Sequence, residues 1–263
     1  MKIETYTKLI SFGSLHLDEL CVIEVCGDQK GVFDFLQGQV TSDLNEIEEN
    51  QYQASSICDH KGQILADFII HRNKNLYILI DRALKDIFIK EMSPFAAFSK
   101  AEFIEKKYIV TGSVEKSEKS DNHLISNEEF AISVRMDSDK GDIKAKLISH
   151  SQWKAANMII GNLSLNINNT GKYRPSEINY DRLRVSFTKG CYRGQEIVAR
   201  MKYLGIDRRK FCTVIVKKDE EFCQNSIKIV SEIENLEEFI IFNAIIKKVD
   251  IDLVKESSQV IVF

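Results

Sequence analysis

The chain has 263 residues, of which 44% are apolar and 29% charged, a composition that provides a packed core and excludes a disordered chain. The formal net charge of −3 argues against a protein that binds nucleic acid over its whole surface. Its apolar runs are far shorter than the roughly 20 residues that span a bilayer, and the first residues lack an apolar signal core. We therefore expect no membrane partner and a cytoplasmic location.

Segments with strand patterns dominate the chain, and helical patterns are fewer. The predicted strands are rich in Ile, Val, Phe and Tyr, whereas the predicted helices carry apolar residues at helical spacing. In chain order the sequence predicts a strand at 20–26, a helix at 28–37, strands at 63–71 and 76–80, a helix at 82–92, a strand at 102–111, a surface loop at 112–122, a strand at 143–149, and helices at 151–160 and 195–204.

A compositional break follows at residues 205–210. Beyond it the pattern predicts short strands alone, chiefly at 211–217 and 238–249, which suits a small β-barrel. The predicted fold class is therefore α+β with a terminal β-module.

Six cysteines stand at positions 21, 26, 58, 191, 212 and 223. In a long chain without an export signal they are expected as free thiols. No two of them form a Cys-x-x-Cys pair, and no histidines have ligand spacing. Neither a permanent zinc site nor a self-sufficient iron–sulfur site is therefore predicted.

Charge is concentrated in one stretch, residues 182–210. This stretch contains nine basic and two acidic residues, giving +7, so the rest of the chain carries −3 − 7 = −10. A basic region in an acidic protein indicates an anionic ligand.

Residues 185–200 lie at the centre of this region. Gly190 and Gly194 bracket a short predicted loop between a strand and a helix that begins at Gln195, so the loop presents free backbone N–H groups and a positive helix end. Cys191 lies there between Lys189 and Arg193, and these influences favour its thiolate. A lone loop cysteine is more often inert, but its burial beside two cations would be costly. Residue type alone is therefore compatible with either a functional or a structural role for Cys191.

The octapeptide Lys189-Gly-Cys-Tyr-Arg-Gly-Gln-Glu196, followed by Ile-Val-Ala-Arg, resembles the signature of the YgfZ family of folate-binding proteins, which is related to the aminomethyltransferase (T-protein) of the glycine cleavage system. Residues 35–43, 58–67 and 175–181 resemble further segments of that family. The resemblance covers about residues 35–210, whereas the last fifty or so residues are alike only in being rich in strands.

This resemblance implies two α+β modules around a central folate pocket, plus a C-terminal small β-barrel. The corresponding boundaries are 1–45 with 115–204 for a discontinuous first module, 46–114 for the second and 205–263 for the barrel. It implies tetrahydrofolate or a one-carbon derivative as ligand. It also implies an accessory role in iron–sulfur cluster assembly or repair that affects tRNA thiolation, with iron–sulfur proteins or assembly factors as transient partners.

Under this resemblance, individual residues acquire expected roles. Cys191 is the reactive thiol. Folate joins a flat pterin to an anionic glutamate tail, so an aromatic face, a carboxylate and cations are needed. We expect these from Tyr192 for the ring, Asp67 or Glu177 for the pterin edge, and Lys189, Arg193 or Arg200 for the tail. Each of them also has a plain structural alternative, such as a helix cap, a salt bridge or a solvated surface charge.

Differences between this sequence and that of T-proteins help to choose between the possible functions. T-proteins carry paired aspartates where this chain has Ala66 and Asp67, and the missing carboxylate weakens the case for a folate-dependent aminomethyl or one-carbon transferase. That enzyme remains the alternative to the accessory role. Direct tRNA binding by residues 182–210 is the third hypothesis, and it is disfavoured because the patch lacks repeated base-stacking aromatics.

Overall fold

The computed structural model describes residues 9–117, 123–138, 143, 145–205, 208–220 and 227–263. Within these ranges the chain forms three sheets and six α-helices. The prediction of a fold that mixes helices and strands is confirmed. No helix in these ranges is long and apolar enough to cross a bilayer.

Strands make up most of the regular structure in these ranges. In chain order they are β1 Gly13–His16, β2 Leu20–Cys26, β3 Tyr52–Cys58, β4 Ile64–Arg72, β5 Leu76–Asp81, β6 Glu102–Lys106, β7 Ile109–Lys116, β8 Ile125–Ser126, β9 Phe130–Asp137, β10 Arg209–Lys217, β11 Ile227–Ile229, β12 Glu234–Asn235, β13 Phe239–Lys247 and β14 Gln259–Val262. The helices are α1 Gln29–Gln37, α2 Arg82–Ala96, α3 His150–Ile159, α4 Tyr180–Leu183, α5 Gln195–Leu204 and α6 Ile251–Ser257.

The strands pair antiparallel in three sheets. Sheet A has the order β1-β7-β9-β8 and sheet B the order β3-β4-β5-β2-β6. Sheet C has the order β11-β13-β10-β14, with β12 also paired to β13. Short loops between sequential strands favour antiparallel pairing.

Sheet B has two buried faces, and strand β4 shows how they are divided. Buried and half-buried residues alternate along β4, as the period of two in a strand requires. Ala66 and Phe68 join a core that includes Phe88 of helix α2, whereas Ile69 packs into a second core against sheet A and helix α3. Asp67 therefore points away from the α2-covered face, into the space between the sheets.

Sheet C forms a third core with helix α6. Cys212 and Val214 of β10 pack there with Phe242 and Ala244 of β13 and with Val254 of the helix. The cross-strand register of β10 and β13 pairs Cys212 with Ala244 and Val214 with Phe242. The prediction of short strands alone beyond residue 210 is therefore wrong in one respect, because helix α6 lies among strands β10 to β14.

Several predicted boundaries are wrong. The strand predicted at 102–111 is two strands, β6 and β7. In place of the strand predicted at 143–149, the described residues of this segment contribute a bridge between Leu147 and Ser14. In the predicted loop at 112–122, residues up to Lys116 continue β7, and residues 118–122 lie outside the described ranges.

Four strands of the described ranges were not predicted: β1, β3, β8 and β9. Strand β3 carries Ser55 and Ser56, which weaken its apolar pattern. Both serines are fully buried, and their hydroxyls form hydrogen bonds with the hydroxyls of Ser42 and Thr41. These serines can be buried at little cost because their hydroxyls have partners.

The sheets group the chain differently from the predicted module boundaries. Strand β2, placed in the first module, pairs with β5 and β6 of the second. The module boundaries and the closure of a C-terminal barrel stay predictions.

Candidate functional site

A cavity of about 450 Å³ lies where sheet B, helix α3, the segment 162–166 and sheet C meet. Its wall includes Asp67 and Leu79 from sheet B, Trp153 from α3, Arg184, and Asn243 from β13. Ligand pockets commonly have this volume and such a mixture of apolar walls and a few polar groups. The cavity is therefore the candidate ligand site.

Asp67 and Arg184 form a buried ion pair in this cavity. Arg184 Nη2 lies 3.4 Å from Asp67 Oδ2, and the two side chains are 4% and 10% exposed. The Tyr180 hydroxyl donates to the same oxygen at 2.8 Å. Burial raises the pKa of Asp67, and the charge of Arg184 opposes that shift. A carboxyl group in this setting can take up a proton closer to neutrality than an exposed one.

Arg184 also joins parts of the chain that are distant in sequence. Its Nη1 donates to the carbonyls of Ser55 and Phe68, each at 3.2 Å, and its Nη2 donates to Asn162 Oδ1 at 2.8 Å. Its guanidinium lies 4.7 Å from the centre of the Tyr180 ring. The sequence marked Arg184 only as one base among nine, and no local pattern distinguishes it.

Three buried polar atoms of the cavity wall have no hydrogen-bond partner in the described structure. They are Arg184 Nε, Asn166 Oδ1 and Asn243 Oδ1. Asn243 is fully buried, and its amide nitrogen is used by donating to Thr213 Oγ1 at 2.8 Å. Unpaired buried donors and acceptors are rare and costly. One unpaired donor and two unpaired acceptors thus belong to residues that line this cavity.

Cys191 lies on the surface and is a free, exposed thiol. Its loop precedes helix α5, as predicted, and Gly194 at the helix start has φ +83°. A Cβ at Gly194 would lie 2.3 Å from the Asp59 carbonyl. The loop is thus pressed against residues 59–62, so the structure brings together two of the segments that carry the family resemblance.

Lys189 is buried under this loop and attaches it to residues 37–42. It is 7% exposed, and its ammonium donates to the carbonyls of Gln37 at 2.7 Å, Val40 at 2.7 Å and Ser42 at 2.9 Å. Gln37 ends helix α1, where a cation is favourable. Burial lowers the pKa of Lys189 to about 8, and Asp43 acts in the opposite direction. All three N–H groups are used, which leaves none for a ligand.

Arg193 makes a second attachment of the same loop. Its Nε donates to the Cys58 carbonyl at 2.7 Å, and its Nη1 lies 3.0 Å from Glu91 Oε2. Its Nη2 is buried without a hydrogen-bond partner among the described residues. Through Arg193 the cysteine loop is tied to the end of β3 and to helix α2.

The other predicted ligand residues lie apart from the cavity. Tyr192 is 6% exposed, its ring is 5.2 Å from the Lys189 ammonium, and burial raises its pKa. Glu177 Oε2 accepts a hydrogen bond from the Arg174 backbone at 2.8 Å, which is a local cap. Arg200 is 60% exposed and pairs with Glu196 one helical turn away.

The predicted site residues therefore lie in two separate places, the cavity and the region of the cysteine loop. Of the residues predicted for the site, Asp67 lines the cavity, whereas Cys191, Lys189, Tyr192, Arg193, Glu177 and Arg200 are not among the described residues of its wall. No three His, Cys, Asp or Glu side chains cluster as metal ligands in the ranges that the structure describes.

The three-sheet fold is similar to that of the glycine cleavage system aminomethyltransferase T. The crystal structure of the glycine cleavage system aminomethyltransferase T from Bartonella henselae superposes with a TM-score of 0.60, covering 93% of this chain and 81% of that chain. The two sequences are 11% identical, so the likeness concerns the fold.

Sequence comparison places the chain more narrowly. It is 31% identical to the tRNA-modifying protein YgfZ of Colwellia psychrerythraea over 75% of this chain and 70% of that relative. It is 27% identical to the protein of the same name from Escherichia coli strain SE11, over 66% of this chain and 64% of the relative. No family model matches. The chain belongs to the YgfZ family, and it spans about two thirds of the length of these relatives.

Proposed function

We propose that the chain binds tetrahydrofolate or a one-carbon derivative in the cavity and serves as an accessory factor in iron–sulfur cluster assembly or repair, with an effect on tRNA modification. The observation that carries the folate proposal is the cavity itself, lined by Arg184, Asn166 and Asn243, each of which has a buried polar atom without a hydrogen-bond partner among the described residues. The tRNA part is supported by the names of the relatives, tRNA-modifying proteins.

The chemistry of a reduced pterin suits this cavity. The edge of its pyrimidine ring presents amino donors beside a carbonyl acceptor, which complement two amide oxygens and one guanidinium N–H. The flat ring can lie against an aromatic face, and Trp153 supplies one in the wall. Asp67, one of the two residues predicted for the pterin edge, lies in the same wall, but its Oδ2 already accepts a hydrogen bond from Tyr180.

Cys191 has a distinct role in this proposal. Because its thiol is exposed, a partner protein can reach it without opening the cavity. One thiolate does not hold a cluster alone, since the common clusters need about four. Transient iron–sulfur proteins or assembly factors would therefore supply the remaining ligands.

The alternative function is a folate-dependent one-carbon transferase. It is favoured by one observation, a carboxyl group of raised pKa in the cavity wall, Asp67. A carboxyl so placed is a candidate general acid or base. Ala66, where T-proteins have a second carboxylate, is fully buried on the opposite face of β4. Turnover with a methylene-tetrahydrofolate donor, abolished by Asp67→Asn, would establish this enzyme.

The folate proposal is tested by titrating the full chain with tetrahydrofolate. Trp153 is the only tryptophan and lines the cavity, so its fluorescence should change on binding, with calorimetry as the second readout. Asn166→Leu should weaken binding by about tenfold or more, because it removes one unpaired acceptor. Glu177→Gln, which lies off the cavity, is the matched control and should bind as wild type does.

Two results would contradict the proposal. One is the absence of any binding by a folded wild-type chain. The other is binding that Asn166→Leu leaves unchanged while a variant at Arg200 abolishes it, since that would locate the ligand at the cysteine loop. A cytoplasmic location and the absence of direct tRNA binding stay predictions.

A further inference from the structure

The charged residues of the cavity wall are mostly acidic. Among the described residues that line it, Glu19, Asp67, Asp81 and Glu232 are acids and Lys154 and Arg184 are bases, with His150 as a titratable neighbour. Four acids against two permanent cations give the wall a net charge of −2 with His150 neutral. The sign is opposite to that of the basic region, residues 182–210, from which the sequence predicts an anionic ligand.

Each cation of the wall already has an acidic partner. Arg184 pairs with Asp67 inside the cavity. At the rim, Lys154 Nζ lies 2.6 Å from Glu232 Oε2 and 3.1 Å from Glu234 Oε1. His150 Nε2 lies 3.5 Å from Glu19 Oε2. The Lys154 contacts join helix α3 to the C-terminal sheet at the rim.

The three cations that the sequence assigns to the folate tail are paired with other groups of the chain. Lys189 donates to three carbonyls, Arg193 pairs with Glu91, and Arg200 pairs with Glu196. None of them is among the described residues of the cavity wall. A chain of γ-linked glutamates leaving the cavity would therefore meet carboxylates at Glu19 and Glu232 without an unpaired cation from the wall.

From this charge distribution we infer that the cavity is specific for a short-tailed folate, so that affinity does not rise with the number of γ-linked glutamates. This inference rests on the proposed folate function and specifies its ligand. Glu232 is the specificity-determining residue, because its exposed carboxylate lies at the rim, where it repels the tail. The repulsion acts at an exposed rim, so salt should weaken it.

The test compares tetrahydrofolate carrying one glutamate with the form carrying three, on the full chain, by Trp153 fluorescence and calorimetry. The triglutamate should bind no tighter than the monoglutamate at low salt, and the two affinities should converge as salt is raised. Glu232→Gln should shift the affinity ratio toward the triglutamate by about threefold, the size of a rim charge effect. Glu237→Gln, exposed and outside the cavity wall, is the matched control and should leave the ratio unchanged.

The outcomes separate the two proposals. Triglutamate binding about tenfold tighter than monoglutamate would overturn the tail inference and leave the folate proposal standing. A ratio that Glu232→Gln does not move would overturn the role of Glu232. Binding of neither form by a folded chain would overturn the folate proposal and, with it, this inference.

Discussion

The cavity and the Cys191 loop use buried cations in different ways. In the cavity, Arg184 offsets a carboxylate and still has an unpaired Nε. In the loop, the Lys189 ammonium has all its donors on backbone carbonyls, and the thiol above it faces solvent. A buried cation thus equips a binding site in one region and supports the shape of a reactive loop in the other. The position of Lys189 two residues before Cys191 did not reveal which of these two roles it has.

The largest effect is expected from a substitution that breaks the Asp67–Arg184 ion pair. Arg184→Met should lower the free energy of unfolding by about 3–5 kcal/mol, because it leaves the Asp67 carboxylate buried without its charge partner. Urea denaturation at neutral pH measures this. The double variant Asp67→Asn with Arg184→Met should recover part of the loss, and a double variant no more stable than the single one would show that the pair is not the cause.

Lys189→Met tests the loop in the same way. Three carbonyls would lose a charged donor, so we expect a loss of about 3 kcal/mol in the free energy of unfolding. The matched control is Arg200→Met, whose exposed pair should contribute less than about 1 kcal/mol. Equal losses in the two variants would mean that Lys189 does not anchor the loop.

Alkylation sharpens the contrast between the exposed thiol and the buried ones. Cys191 should react with iodoacetamide at least about tenfold faster than Cys21, Cys58 or Cys212, since all three are buried and thiolate access controls the rate. Burial also raises the pKa of Cys58 and of Cys212 to about 12. Peptide mass spectrometry of the native protein gives each rate. Cys223 lies outside the described residues, and similar rates at Cys191 and Cys58 would contradict the geometry.

The stability of the loop should also depend on pH. The pKa of Lys189 is lowered from 10.5 to about 8 in the folded chain, so between these values the unfolded chain binds more protons at this group. Stability contributed by this group therefore rises with pH across that window. Wild type should gain stability relative to Lys189→Met from pH 8 to 10, and a constant difference would contradict this sign.

The smallest expected effect concerns the thiol itself. Cys191→Ala should change the free energy of unfolding by less than about 0.5 kcal/mol, because surface substitutions away from special features seldom cost more. It should also leave tetrahydrofolate affinity unchanged, since Cys191 is outside the cavity wall. Loss of iron–sulfur-dependent tRNA modification in cells, with folding and folate binding intact, is the expected result. A large loss of stability would make Cys191 structural.

Local sequence determined the elements with clear periodicity and the nature of the cysteine loop. Strand β2 and helix α5 have the predicted bounds, and the exposed Cys191 lies before a helix start as the glycines of its loop indicate. These features depend on contacts between residues that are close in sequence, so the local residue types and their spacing are enough to predict them.

Tertiary structure alone decided which charges meet. Asp67 and Arg184 are more than a hundred residues apart, and the direction of Asp67 follows from which face of β4 is covered by helix α2. Lys189 likewise meets carbonyls from residues 37–42. The sequence does not show how deeply a charge is buried or which group it meets. The cations Lys189, Arg193 and Arg200, which suggest an anion site, are paired here with backbone oxygens and carboxylates. These bases are close together in the sequence, but folding gives Arg184 a place in the cavity wall and Lys189 a place under the cysteine loop, because their partners come from distant parts of the chain.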